Sequence, residues 1–174
     1  MSARGARGQV ILPGALLLMG AVVVIYAMVG AVTHWGDVHA VDAATRLAAI
    51  AGARAYDPVA LSGGTAGLSD DPSSGSAAEA RRVFTANLRR SFGGPYPRVD
   101  TSDAAIGAAL RVVVFTPTLQ QPTYTDPDPT PCGRAGDRVF TYATVFVSVD
   151  LSIGLADMRR AAIAHHFHAC AQAI

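Results

Sequence analysis

The stretch VILPGALLLMGAVVVIYAMVGAV, Val10 to Val32, decides how the rest of the chain is read. It is apolar throughout, with no Asp, Glu, Arg or His to resist transfer into lipid. At about 1.5 Å per residue, a helix of this length covers the roughly 30 Å hydrocarbon core of a bilayer. Arg4 and Arg7 stand in front of the run, whereas the far side opens with His34, Asp37, His39 and Asp42 before Arg46. The positive-inside rule therefore predicts a cytoplasmic tail (1–9), a transmembrane helix (10–32) and export of the chain beyond Val32. A cleavable secretory signal is the competing reading, with Val29-Gly30-Ala31 resembling a small-residue cleavage site. Signal cores are typically about 7–15 residues, and this run is longer. The expectation is an uncleaved, single-pass anchor in the inner (cytoplasmic) membrane, its C-terminal domain periplasmic or extracellular.

The helical pattern continues past the span. Thr33 to Tyr56 contains no proline, and alanine, the best helix former, recurs throughout. Val38, Val41, Thr45, Ala48 and Gly52 keep helical spacing and make one stripe of apolar and small side chains. Asp42 and Arg46 are placed for an i,i+4 ion pair in the favourable order. Asp57-Pro58 should stop the helix, because proline pushes its predecessor out of the α region. Pro13 falls near the helix start, where a missing N–H costs little. The reading is a helical stalk (33–56) projecting from the membrane and carrying an exported α+β domain (57–174).

That domain begins with a loop rich in glycine, serine and aspartate, through Gly63-Gly64 and Asp70-Asp71-Pro72. Ser76-Ala77-Ala78-Glu79 has the spacing of a capping box and predicts a short amphipathic helix over 77–92. Val83, Phe84 and Leu88 would face inward, with Arg81, Arg82, Arg89 and Arg90 outward. Runs 106–116 and 138–153 are rich in Val, Phe, Tyr and Thr and predict strands. The second is apolar on both faces, with Val145, Val147 and Val149 on one and Phe140 and Phe146 on the other, as suits a central strand. Segment 161–174 mixes helical composition with the alternation of Ile163, His165 and Phe167 against His166, His168 and Cys170. Helix and strand both remain open here, and the favoured reading is a further strand pairing antiparallel with 138–153.

Composition narrows the function. A net charge of +1, without a basic patch, argues against nucleic acid. All fourteen basic residues are arginine and Asn87 is the only asparagine, a coding bias that carries no functional meaning. Cys132 and Cys170 both lie beyond the span; an even pair in an exported domain reads as one disulfide, closing a loop of about 40 residues.

The N-terminal segment has a likeness. Arg7-Gly8-Gln9-Val10 running into an apolar span, then Val41-Asp42-Ala43-Ala44-Thr45-Arg46-Leu47-Ala48-Ala49-Ile50-Ala51-Gly52-Ala53, resembles the TadE/TadG-like proteins of tight-adherence (Tad/Flp) pilus systems. The resemblance covers about residues 7–53. It implies a pilin-like envelope protein with a long N-terminal helix and an exported β-containing region. Its partners would be other pilin-like subunits and an inner-membrane assembly platform. Pilin-like members cut by the prepilin peptidase carry glutamate at the fifth position after the glycine; here the fifth residue beyond Gly8 is Pro13. That departure points to a minor or assembly-associated subunit. Small residues four apart, Ala27 and Ala31 in the span and Ala48 and Gly52 in the stalk, would let helices approach closely. A stalk stripe left uncovered by its own domain would require a partner.

Little catalytic chemistry is legible. No Gly-x-Ser-x-Gly elbow, phosphate-cradling glycine loop or His-Glu-x-x-His is present, and Glu79 is the only glutamate. The expectation is a non-enzyme without cofactor. The one candidate site is His165-His166-x-His168 with Cys170: on a strand, His166, His168 and Cys170 share a face and could offer ligands to zinc or copper. An anchored ligand- or metal-binding module using these histidines is the alternative function. Asp70, Asp71, Asp126 and Asp128 are candidate calcium ligands by chemistry but lack EF-hand spacing. His34, His39 and Trp35 read as residues of the membrane–water interface.

Overall fold

The computed structural model describes residues 5–55, 67–69, 75–94, 98–130, 132, 138–155 and 158–173, with side chains described from residue 13 onward except at 158–161. Tail residues 1–4, Tyr56, Asp57-Pro58, Gly63-Gly64 and Asp70-Asp71 lie outside them. The chain opens with one uninterrupted helix, α1 (Gly5–Ala53), that contains Pro13. At about 1.5 Å rise per residue, its 49 residues extend over about 70 Å. An apolar window in its N-terminal part, with mean hydropathy 2.5 and no burial, is long enough to cross a membrane.

Helix α1 behaves differently along its length. Leu16 to Val32 are exposed apart from half-buried Gly30. From Asp37 onward one side is buried: Val41, Thr45, Ala48 and Ala49 are fully covered, and Ala44 and Ala53 nearly so. Their cover is the chain's own α2 (Ser76–Phe92) and sheet. The second half of α1 therefore does not project free of the domain, and the condition for an outside partner, a stripe left uncovered, is not met at these residues. Ala48 and Gly52 form an intramolecular seam, because only small side chains let α2 and the sheet reach the α1 backbone. Ala27 and Ala31 remain exposed. The Asp42–Arg46 pair forms at 3.0 Å.

Helix α2 buries Phe84, Leu88 and Phe92 and turns Arg81, Arg82, Arg89 and Arg90 outward. The capping box does not form. Gly75 is the N-cap, and the Ser76 hydroxyl donates instead to the Ala55 carbonyl (2.9 Å), tying α2 to the end of α1. Glu79 is then free to pair with Arg82. A second difference is α3 (Asp103–Ala109), capped by the Ser102 hydroxyl accepting from the Ala105 N–H, where the sequence reading began a strand. Ser102-Asp103 is a helix-start signal that the adjoining Val-rich run obscured.

Strands β1 (Leu110–Phe115), β4 (Thr144–Leu155) and β5 (Met158–Gln172) form an antiparallel sheet in the order β1-β4-β5, and short β2 (Tyr124–Thr125) and β3 (Val139–Phe140) pair separately. The run 138–153 is thus split at 141–143, and its longer part is the central strand. Alternation along β4 gives each face its own core. Val145, Val147, Val149 and Ile153 pack under α1 and α2. Phe146, on the opposite face, joins Phe115, Phe140, Tyr124 and Cys132 beneath the loop that joins β1 to β3. Cys132 and Cys170 are disulfide-bonded across this smaller core, with S–S 2.04 Å. A closed loop of that length stabilises by about 3–4 kcal/mol in the chain-entropy model.

Candidate functional site

Strand β5 sorts its histidines by face. Register pairs Asp150 with His166, Ser148 with His168 and Phe146 with Cys170, so His166, His168 and Cys170 all point toward the loop. His165, Phe167 and Ala169 point to the other side, where Phe167 and Ala169 enter the main core.

The loop brings carboxylates to meet the first set. Asp126 is fixed by its own N–H donating to the Arg138 carbonyl (2.8 Å), and its Oδ1 accepts from the Asp128 N–H (3.2 Å). Asp128 in turn accepts from the Thr130 N–H (2.9 Å). Two successive Asx turns, at the residues flanking Pro127, thus present Asp126 and Asp128 two residues apart. His166 and His168 have the same separation on β5, and the two pairs lie opposite each other.

His166 is held at both nitrogens: Nδ1 lies 2.8 Å from Asp150 Oδ1, and Nε2 lies 2.9 Å from Asp128 Oδ2. Both nitrogens face acceptors, which is the environment of an imidazolium. The Asp150 hydrogen bond is the strongest influence raising the His166 pKa; partial burial opposes it, and Asp128 adds to it. Burial pushes Asp128 upward, but the Thr130 N–H and the two imidazoles outweigh it, and its pKa falls below the ordinary value.

His168 is more deeply set, its side chain 1% exposed. Its Nδ1 donates to the Thr130 carbonyl (2.8 Å), which directs Nε2 toward Asp126 Oδ2 at 3.3 Å. That oxygen, on a residue 5% exposed, has no hydrogen-bond partner: Nε2 is within ion-pair reach but off hydrogen-bond alignment. Asp126, Cys132 and His168 have their ligand-type atoms within 4.8 Å of one another. Cys132 is engaged in the disulfide.

The opposite face of β5 carries a third contact. His34, the first histidine beyond the apolar span, places Nε2 3.1 Å from Nε2 of His165. Its Nδ1 is buried without a partner, so the favoured arrangement has the His34 Nε2–H donating to His165 and Nδ1 bare. Burial, and then the neighbouring His34, lower the His165 pKa. Three residues further on, Asp37 is clamped by Arg98, Nε to Oδ2 at 2.7 Å and Nη2 to Oδ1 at 2.9 Å. Burial raises the Asp37 pKa against the pull of that arginine. Trp35 and His39 stack edge to face, while His34 and Asp37 are docking residues between α1 and the domain.

The sequence singled out His166, His168 and Cys170 as one face, and separately Asp126 and Asp128; folding brings the two groups together. Sequence reasoning missed Asp150, Thr130 and the His34–His165 contact. The one signal in the sequence was the matched i,i+2 spacing of Asp126/Asp128 and His166/His168, which means something only once the loop is known to cross β5. Asp128 and Asp126 face imidazoles, so among the described residues they do not build the all-oxygen cage that calcium takes.

Searches against protein-family models, curated proteins and solved structures found no match to the chain.

Proposed function

We propose that this protein is a single-pass envelope component, N-terminus cytoplasmic, that serves structurally in a tight-adherence (Tad/Flp-type) pilus or related surface apparatus. It is read as a minor pilin-like or assembly-associated subunit. The observation that carries the reading is mechanical. One continuous helix is lipid-compatible over its first half, and its second half is a core element of the domain. A flexible tether would let the domain tumble; here the anchor's direction is fixed to the sheet by the α1–α2 seam, the Asp37–Arg98 clamp and the His34–His165 contact. A rigid anchor–domain unit suits stacking of like subunits side by side, with Ala27 and Ala31 as the small-residue face available within the bilayer. The likeness of residues 7–53 to TadE/TadG-like proteins is what supports the choice of this apparatus.

The test is fractionation of cells producing the full chain, with a photo-crosslinking residue at Ala27 or Ala31. Crosslinks to pilin-like subunits or platform proteins, and recovery with sheared filaments or the assembly complex, are the expected results. Release of the intact chain from membranes by carbonate, or the absence of crosslinked partners, would overturn the reading.

A further inference from the structure

The small core beneath the loop holds a set of metal-type donors that the disulfide keeps apart from any metal. We propose that Asp126, Cys132, His168 and Cys170 form a zinc site in the dithiol form of the protein, the two cysteines being joined as a disulfide in the oxidised chain.

Three observations lead there. First, His168 is already oriented as a ligand. Its Nδ1–H is engaged by the Thr130 carbonyl at 2.8 Å, leaving Nε2 as the free nitrogen, which is the outer-sphere arrangement that typically fixes a zinc-binding imidazole. Second, Asp126 Oδ2 is buried, lacks a hydrogen-bond donor and is aimed at that nitrogen at 3.3 Å. Zinc bonds of about 2.0–2.1 Å to nitrogen and oxygen in tetrahedral geometry put the two donor atoms about 3.3 Å apart, so this edge of the site needs no rearrangement. Third, Cys132 joins them: Asp126, Cys132 and His168 each bring one ligand-type atom to within 4.8 Å of the others'. The corresponding edge to sulfur in a zinc site is about 3.6 Å, so the closing movement asked of these donors is at most about 1 Å, and release of Cys132 from Cys170 permits it. Cys170, freed from the same bond and on the same face of β5 as His168, supplies the fourth ligand. Two ligands thus come from the loop and two from β5, and the metal would staple loop to strand where the disulfide does so in the oxidised chain.

The chemistry balances with a dithiol reductant. Thiol–disulfide exchange opens Cys132–Cys170, the reductant being oxidised to its own disulfide and the protein gaining two thiols. Zinc then binds the two thiolates and displaces two protons. Zinc is favoured over calcium or magnesium because the set contains nitrogen and sulfur and only one carboxylate.

The test uses the full chain in detergent micelles, reduced with a dithiol under argon, desalted anaerobically and titrated with Co²⁺ and then Zn²⁺. The expected result is one equivalent of tetrahedral cobalt with a sulfur-to-cobalt charge-transfer band, displaced by zinc, with no such band from the oxidised chain. Asp126→Asn and His168→Gln should each weaken zinc binding at least tenfold, given that outer-shell changes alone cost about 10–100-fold. Asp126→Cys, which restores a ligand, should retain it, and His39→Gln, on the exposed side of α1, should leave it unchanged. Failure of the reduced wild type to take up cobalt would overturn the proposal whatever the variants do. So would equal uptake by the oxidised chain, or uptake indifferent to both Asp126→Asn and His168→Gln, which would mean two thiols acting alone.

Discussion

Gly52→Ala sets two effects of known sign against each other. Replacing a helix-interior glycine with alanine normally stabilises by about 1 kcal/mol. At Gly52 the new methyl would stand 2.8 Å from the Ser76 carbonyl oxygen, 3.0 Å from Val145 Cγ1 and 3.1 Å from Ala80 Cβ. Ordinary contact begins at 3.4 Å, so two elements, α2 and β4, would have to retreat from α1 together. Ser76 is not free to do so, because its hydroxyl donates to Ala55 O and its N–H to Ser69 O, each at 2.9 Å. Overpacking of this kind costs about 1–3 kcal/mol, and a backbone atom that cannot yield puts the cost at the upper end. The expected net loss is about 2 kcal/mol. Gly36 lies in the same helix with nothing within 4 Å of its would-be methyl, so Gly36→Ala keeps only the propensity gain. Urea unfolding of the full chain in mild detergent, monitored by near-ultraviolet circular dichroism, should separate the two variants by about 3 kcal/mol. If Gly52→Ala is as stable as Gly36→Ala, the seam between α1, α2 and β4 is not close-packed and does not hold the anchor rigidly to the domain.

Phe84, fully buried between α1 and the sheet, should cost about 3–5 kcal/mol when truncated to alanine, measured in the same unfolding assay. Removing the disulfide as Cys132→Ala with Cys170→Ala should lower stability under oxidising conditions by about 3–4 kcal/mol, less whatever order the loop retains in the unfolded chain. The His34–His165 contact predicts an acid sensitivity. The His165 pKa is lowered in the fold, so the unfolded chain binds the proton more readily, and the contact weakens as pH falls below the ordinary histidine range of about 6.5. His165→Gln should therefore lose less stability than wild type between about pH 7 and 5. An unchanged or steeper loss would rule out this contact as the source. Arg98→Ala leaves Asp37 buried without its cation and should cost about 3–5 kcal/mol, with Asp37→Asn in the same background recovering part of the loss.

What the sequence alone determined is whatever rests on local or one-dimensional physics. An uncharged apolar run long enough for a bilayer, an alanine-rich continuation, the arginine face of α2 and the two-sided apolar character of β4 come from residue type and period, and the structure carries each of them. Assignments depending on which neighbour arrives first were less legible. The Ser76 hydroxyl had a local partner within reach in its own helix, but the end of α1 outcompetes it; α3 was hidden because Ser102-Asp103 leads directly into a strand-like run. Tertiary structure decided the rest. Whether the stripe through Val41, Ala48 and Gly52 sought another protein or its own domain depends on where α2 and the sheet return, and no period encodes that. Likewise the pairing of Asp126 and Asp128 with His168 and His166 joins residues about forty positions apart, because a proline-rich loop crosses β5 in one register. Periodicity says which face a side chain takes, whereas only closure of the chain says what that face meets.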